Sequence, residues 1–139
     1  MVKILVAEDD EALRRLVCAE LGKGGYEVCA CADGEEAART LESEPFDMLI
    51  ADVMMPKKDG FTLAEEVREQ NKHIPILFMT ALDDMPSRKR GYRIGIDDYV
   101  VKPFDTEVLL LRVGALLRRA NIEKSREIAA GNLRTVCPR

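Results

Sequence analysis

The chain has 139 residues, of which 47% are hydrophobic and 33% are charged, and its 21 basic and 25 acidic side chains give a net charge of −4. These values are typical of one soluble globular domain with a buried core, and the charge balance does not by itself indicate nucleic-acid binding. No apolar run is long enough to span a membrane, and the amino terminus lacks the successive segments of an export signal, so we expect neither a membrane protein nor an exported one.

Strand-like apolar runs alternate with amphipathic helix-like segments through most of the chain. The predicted strands cover residues 2–7, 26–32, 46–51, 74–79 and 98–101, and the predicted helices cover 11–22, the segment between Asp33 and Pro45, a third ending near 71, then 84–95 and 105–119. Of these, 84–95 is the weakest, because Pro86 and Gly91 both disfavour a helix. This order predicts a parallel sheet covered by helices on both faces. Residues 120–139 break the pattern and are predicted to be a linker or tail, with a helical extension left open.

Two helices carry patterns that predict their buried sides. In the first, Leu13, Leu16, Val17 and Leu21 form one apolar stripe. In the last, Leu109, Val113, Leu116 and Leu117 should face the sheet, while Val108, Leu111 and Ala115 form a second stripe flanked by Arg112 and Arg119. This second stripe is either a contact with the first helix or an exposed patch suited to a symmetric dimer.

The cysteines and the single histidine do not point to a metal site. The four cysteines are Cys18, Cys29, Cys31 and Cys137. Cys29 and Cys31 would share one face of a strand, but no second pair or nearby histidine completes a zinc site. We expect buried, reduced thiols and therefore a cytoplasmic protein. His73 lies in a polar turn, and we predict that it is exposed and is neither a phosphate carrier nor a ligand.

Polar side chains follow the strands that the pattern places in the sheet. The first strand runs into Glu8, Asp9 and Asp10, the third ends at Asp52, the fourth at Thr80, and the fifth at Lys102 and Pro103. Because the carboxyl ends of parallel strands lie on one edge of the sheet, these groups should converge on one cleft. Asp52 is the most informative of them, since a lone carboxylate at the end of a buried apolar strand is costly unless it has a function.

The chemistry of this set favours phosphoryl transfer. Clustered carboxylates repel one another and call for a cation, and hard oxygen ligands without histidine or cysteine favour Mg²⁺ over zinc. A carboxylate beside Mg²⁺, an ammonium group and a hydroxyl can attack a phosphoryl group while its charge is neutralised. We therefore predict phosphorylation of Asp52, with Lys102 and Thr80 as its neighbours.

At this point the chain resembles the receiver domain of two-component response regulators over residues 2–119. The matching motifs are residues 4–10 (ILVAEDD), 52–56 (DVMMP) with 59–60 (DG), 80–81 (TA), 95–99 (GIDDY) and 102–104 (KPF). The resemblance implies a single domain over residues 1–120 with the flavodoxin-like α/β fold. This fold is a doubly wound sheet of five parallel strands with five helices, and the strand order 2-1-3-4-5 is implied by the resemblance alone. Residues 121–139 would then be the linker or tail.

The resemblance also implies roles for the site residues. Asp52 would be the phosphoacceptor, Asp9 would ligate Mg²⁺ directly, Glu8 would act mostly through water, and Met54 would offer its backbone carbonyl. Lys102 would pair with the phosphoryl group, and its bond to Pro103 would be cis. Thr80 and Tyr99 would form the switch, in which the hydroxyl moves toward the phosphoryl group and the ring follows inward. We exclude Asp10 from the metal set, because it should lie at a helix start where a negative charge is favoured.

Within the family the resemblance is to the branch that carries winged-helix DNA-binding domains. It implies a sensor histidine kinase as phosphoryl donor, self-catalysed phosphorylation and dephosphorylation but no turnover of an external substrate, and DNA contact only through an output domain outside this chain. The implied dimer face comprises Asp97, Asp98, Val108, Leu111, Arg112 and Arg119. Val108 departs from the branch, which often has a glutamate there, so we expect one intersubunit ion pair to be missing from a phosphorylation-enhanced homodimer. The alternative is a stand-alone receiver that acts through protein contacts.

Three other functions fit the residues less well. A phosphohydrolase of the haloacid-dehalogenase type needs an acid two residues after the nucleophile, where this chain has Met54. A flavodoxin needs a phosphate-binding loop after the first strand, where the acids of residues 8–10 would repel a phosphate. A degenerate receiver that only binds partners is disfavoured by the intact set of Asp9, Asp52, Thr80 and Lys102.

Overall fold

The computed structural model describes residues 1–70 and 72–131, with side chains described up to residue 121 except at position 71. The element order is β1 (Lys3–Ala7), α1 (Glu11–Lys23), β2 (Glu27–Cys31), α2 (Gly34–Ser43), β3 (Met48–Ala51), α3 (Gly60–Glu69), β4 (Ile76–Thr80), α4 (Met85–Ile94), β5 (Asp98–Val101) and α5 (Thr106–Gly131). The five strands are all parallel and lie in the order β2-β1-β3-β4-β5. The predicted fold and strand order are therefore confirmed.

The sheet separates two apolar layers. Side chains alternate along β1, so that Leu5 and Ala7 pack against α2 and α3, whereas Ile4 and Val6 pack against α1 and α5. The central strands β3 and β4 are buried on both faces, which explains why their sequences are continuous apolar runs. Burying both faces leaves the strand ends as the places where polar groups can reach solvent.

Four helices begin at an aspartate near the carboxyl ends of the strands. The side chains of Asp10, Asp33, Asp59 and Asp84 each accept a hydrogen bond from a backbone N–H three residues later. Such caps satisfy donors that the first helical turn leaves free, and they fix where each loop turns into its helix. The cap at Asp84 explains why α4 forms at all, because Pro86 then lies in the first turn, where a proline is tolerated.

The structure shifts several predicted boundaries and corrects one buried position. Strand ends move by one or two residues, so that Thr80 lies within β4 as the partner of Val101. The fifth helix runs past the predicted end at residue 119 to Gly131, and residues 132–139, including Cys137, lie outside the described part. The prediction for Leu16 was wrong, because it is 48% exposed and lies at the edge of the buried stripe.

The three cysteines that the structure describes and the histidine agree with their predicted environments. Cys31 is buried, Cys18 and Cys29 are half-buried, and all three are free thiols. Burial raises the pKa of the Cys31 thiol to about 11, so this thiol is inert at neutral pH. His73 is exposed. None of the helices in residues 1–70 and 72–131 combines the length and apolar character that a bilayer span requires.

Arg68 joins α3 to the amino-terminal edge of the sheet. Its guanidinium donates to the backbone oxygens of Lys72, Ile74 and Gly95 at 2.8–3.1 Å. It also contacts the carboxylate of Asp97 at 3.2 Å. Burial lowers the pKa of Arg68, and the Asp97 carboxylate opposes that effect. Sequence patterns gave no signal for this contact, because an arginine near a helix end is usually solvated.

We predict that Arg68→Met destabilises the domain by about 2–3 kcal/mol, because three half-buried carbonyl groups lose their donor and Asp97 loses its cation. The control Arg15→Met removes an exposed arginine with one surface ion pair to Glu11 and should change stability by less than about 0.5 kcal/mol. Urea unfolding of the two variants and the wild type measures both values. Equal effects of the two substitutions would contradict the assigned role of Arg68.

Candidate functional site

Three carboxylates meet at the carboxyl ends of β1 and β3. Ala7 and Ala51 are paired in the sheet, so the next residues, Glu8 and Asp52, leave neighbouring strands side by side. Glu8 and Asp52 are buried and Asp9 is exposed, and one carboxylate oxygen of each lies within 4.8 Å of the others. The predicted convergence of these acids is therefore what the fold produces. Such a cluster of hard oxygen donors, open to solvent at Asp9, could hold a metal ion.

Lys102 supplies the positive charge within this cluster. Its Nζ donates to Glu8 Oε1 and to Asp52 Oδ2, both at 2.8 Å. It follows β5, and its backbone N–H donates to the Thr80 carbonyl at 2.9 Å, which fixes the point from which the side chain extends. Burial of the ammonium opposes its charged form, but the hydrogen bonds to Asp52 and Glu8 prevail and raise the pKa of Lys102. The peptide bond from Lys102 to Pro103 is cis, as the resemblance implied.

Backbone N–H groups donate to the carboxylate oxygens of Glu8 and Asp52 that Lys102 does not contact. The Asp10 N–H donates to Glu8 Oε2 at 2.9 Å, and the Met54 N–H donates to Asp52 Oδ1 at 3.1 Å. Burial raises the pKa of Glu8, while its hydrogen bonds from Lys102 and Asp10 act in the opposite direction. The Asp10 side chain caps α1, where its Oδ1 accepts from the Leu13 N–H at 3.0 Å.

Arg14 holds the loop that carries two of the acids. Its Nη1 donates to the Glu8 carbonyl at 2.8 Å and lies 3.5 Å from the Asp9 carbonyl. Arg14 is on the first turn of α1, and sequence reasoning missed this role because nothing distinguishes it from an ordinary surface arginine of a helix. Its contacts tie the acid-bearing loop to the helix that follows.

Thr80 and Tyr99 lie on the neighbouring strands β4 and β5. Thr80 is fully buried, and its Oγ1 accepts a hydrogen bond from the Leu82 N–H at 2.9 Å. The Tyr99 ring is buried between the sheet and α4, edge-on to Phe78 with ring centres 5.6 Å apart, and its hydroxyl donates to the Ser87 carbonyl at 2.9 Å. Burial raises the pKa of Tyr99.

Comparisons with known proteins agree with this geometry. Residues 4–114 match the model of the response regulator receiver domain. The chain belongs to this family. A receiver-domain fold over the described elements accounts for the strand order and for the edge at which the acids, the lysine and the threonine meet.

The receiver is also similar to named transcriptional regulators. It is 44% identical over 126 residues to the transcriptional regulatory protein RprY of Bacteroides fragilis (91% of this chain, 53% of RprY). It is 41% identical over 120 residues to the alkaline phosphatase synthesis transcriptional regulatory protein PhoP of Bacillus subtilis (86% of this chain, 50% of PhoP). The chain thus spans about half the length of the curated relatives it matches. Among solved structures, the Francisella response regulator 1452 receiver domain superposes with a TM-score of 0.82 at 32% identity (86% of this chain, 99% of that one).

The residues predicted for a dimer face lie at the start of β5 and on α5. Val108 is 40% exposed and Leu111 is 66% exposed, so most of the second stripe on α5 is open to solvent. Arg112 contacts both carboxylate oxygens of Asp98 at 3.0 Å. Asp97 instead accepts hydrogen bonds from Arg68, at 3.2 Å, and from the Ile76 N–H, at 2.8 Å. Within one chain, therefore, Asp97 and Asp98 both already have cationic partners, and Arg119 remains exposed.

Loss of the lysine charge should destabilise the receiver. We predict that Lys102→Met costs about 3 kcal/mol without divalent cations, because Glu8 and Asp52 then repel each other while buried. The control Lys23→Met breaks an exposed pair with Glu20 and should cost less than about 0.5 kcal/mol. Urea unfolding in the presence of a chelator measures both, and a Lys102 variant as stable as the control would contradict the assignment.

Proposed function

We propose that this receiver is a phosphorylation switch that accepts a phosphoryl group on Asp52. The observation that carries the proposal is the pairing of the buried Asp52 carboxylate with Lys102 at 2.8 Å, beside two further acids. A carboxylate held this way has a cation fixed next to it, and the exposed Asp9 carboxylate lies close by. The acids follow β1 and β3 and the lysine follows β5, and this arrangement supports the proposed phosphorylation.

In the proposed reaction an oxygen of Asp52 attacks the phosphorus atom of a phosphorylated histidine. The bond between phosphorus and the histidine nitrogen breaks, and that nitrogen keeps the electron pair and takes up a proton from solvent. Lys102 lies where it can exchange its contact with Asp52 for one with a phosphoryl oxygen, and the Met54 N–H and the Thr80 hydroxyl can donate to the others. Donors held near the reacting oxygen by the strand ends lower the barrier to transfer.

The donor set fits Mg²⁺, which when bound would neutralise charge on the phosphoryl oxygens. Glu8, Asp9 and Asp52 would hold it with the Met54 carbonyl, as the resemblance implies, and Asp9 offers the exposed carboxylate among them. The receiver would promote its own phosphorylation and dephosphorylation and would not turn over an external substrate. Met54 is 63% exposed beside Asp52, so its bulk is also suited to limit the access of attacking water.

The proposed partner is a sensor histidine kinase, and the proposed output is transcription. The receiver-domain family supports the kinase as partner. The similarity to RprY and PhoP supports the transcriptional output, since both are named transcriptional regulatory proteins and both are about twice as long as the matched region. DNA contact would then belong to a segment outside this chain. A stand-alone receiver that acts through protein contacts is the alternative, and the cytoplasmic location stays a prediction.

Intact mass measurement tests the phosphoacceptor. With a small phosphoryl donor and Mg²⁺, the wild type should gain the mass of one phosphoryl group, and Asp52→Asn should gain none, because an amide oxygen is too weak a nucleophile. The matched control is Asp33→Asn, which should be phosphorylated like the wild type, since asparagine caps α2 as well as aspartate does. No mass gain in the wild type, or an equal gain in Asp52→Asn, would remove the proposal. A chelator should suppress the gain.

Sedimentation tests phosphorylation-enhanced dimerisation. A phosphoryl mimic such as beryllofluoride should shift the wild type toward dimer, and Leu111→Glu should keep it monomeric, because a charge would then occupy the exposed stripe. Leu16→Glu changes an equally apolar exposed position on α1 and should leave the dimer intact. If the wild type stays monomeric with and without the mimic, dimerisation is wrong.

A further inference from the structure

Arg14 contacts the backbone of the loop that carries two of the acids. Its Nη1 donates to the Glu8 carbonyl at 2.8 Å and lies 3.5 Å from the Asp9 carbonyl, a weaker contact. Side chains of a helix lean toward its amino terminus, so an arginine on the first turn of α1 reaches back over the preceding loop. The next residue, Arg15, instead pairs with Glu11 on the exposed side of the helix at 2.7 Å. Of these two adjacent arginines, Arg14 is the one held against the acid-bearing loop.

A continuous set of hydrogen bonds leads from Arg14 to the Glu8 carboxylate. The Asp9 carbonyl shares its peptide group with the N–H of Asp10, which donates to Glu8 Oε2 at 2.9 Å. Because a peptide group is planar, its carbonyl and its N–H turn together. The other carboxylate oxygen of Glu8 accepts from Lys102 at 2.8 Å. The peptide group beside Arg14 therefore helps to fix the carboxylate that Lys102 also contacts.

The two carbonyl groups also lie on either side of the Asp9 Cα. The Glu8 carbonyl belongs to the peptide group before this atom, and the Asp9 carbonyl belongs to the one after it. Restraining both peptide groups limits the backbone rotations of Asp9 and hence the direction in which its exposed carboxylate extends. A ligand that is already oriented loses less conformational freedom when a metal ion binds, and such a site binds more tightly.

The positive charge of Arg14 has the opposite effect on a cation site. Like charges repel, so removal of the guanidinium would by charge alone strengthen the binding of a cation nearby. Groups that orient metal ligands act the other way, since their loss weakens metal binding by about tenfold to a hundredfold. The direction in which metal affinity changes therefore distinguishes an orienting role of Arg14 from an effect of its charge.

We propose that Arg14 is a positioning residue that raises the affinity of the acidic site for Mg²⁺ in spite of its own positive charge. It does so by holding the two peptide groups that orient Asp9 and the Glu8 carboxylate. This role rests on the proposed Mg²⁺ site of Glu8, Asp9 and Asp52 and does not depend on phosphoryl transfer.

Urea unfolding at increasing MgCl₂ and constant ionic strength measures Mg²⁺ affinity, because an ion that binds the folded chain stabilises it. Arg14→Met should bind Mg²⁺ roughly fivefold more weakly than the wild type. The control Arg15→Met removes the same charge one residue along and should bind within about twofold of the wild type, because exposed charges are screened. Unchanged or tighter binding in Arg14→Met overturns the role of Arg14 alone. A wild type without any Mg²⁺ effect would instead show that the proposed metal site is wrong, and the role of Arg14 would fail with it.

Amide hydrogen exchange, measured by NMR without metal, tests the orientation of the loop. In Arg14→Met the Asp10 N–H should exchange roughly tenfold faster than in the wild type, because its peptide group loses a restraint. The Glu36 N–H, which donates to the Asp33 cap of α2, should keep its rate. An Asp10 N–H that keeps the wild-type rate in Arg14→Met overturns the proposal. If Arg14→Met does not fold, Arg14→Gln, whose shorter side chain cannot span the same distance, is measured with the same criteria.

Discussion

The ion triad formed by Glu8, Asp52 and Lys102 is the constraint on which the site depends. Two carboxylates lie buried at adjacent strand ends, and one ammonium contacts both at 2.8 Å. A buried charge without a partner is costly here. The triad therefore fixes both the register of β1 against β3 and the direction in which the chain leaves β5. The same three residues form the proposed reaction centre. The same three charged groups therefore stabilise the edge of the sheet and would change partners when a phosphoryl group is transferred.

Much of this arrangement follows from the sequence, because both signals involved are local. Buried parallel strands are continuous apolar runs, and each run here ends in a polar residue, so Asp52, Thr80 and Lys102 could be placed on one edge from the sequence alone. The start of α2 also has a local signal, since Asp33 with Glu36 three residues later has the spacing of a capping box, and Asp33 caps this helix in the structure. The ends of the strands were less certain. The apolar run predicts a fourth strand that ends at residue 79, whereas pairing with β5 extends β4 to Thr80.

The contacts that the sequence did not reveal are long-range and depend on backbone acceptors. Arg68 and Arg14 bind carbonyl groups, which every residue has, so no residue pattern identifies their partners. Gly91 counted against α4 when judged by helix propensity, but a Cβ there would lie 2.5 Å from the Tyr99 hydroxyl and 3.0 Å from Ile96 Cδ1, so glycine leaves room for these side chains. Leu16 lies at the edge of a helical stripe, where periodicity cannot separate buried from exposed. The dimer face depends on a second chain and remains a prediction.

A double-mutant cycle on the triad separates charge pairing from packing. The free-energy cost of Lys102→Met, measured by urea unfolding in a chelator, is compared in the wild type and in the Glu8→Gln, Asp52→Asn background. We expect the cost to fall by at least about 2 kcal/mol in that background, because no buried charges are left for the lysine to neutralise. An unchanged cost would mean that Lys102 stabilises the domain by packing alone, and it would contradict the ion triad as the basis of the site.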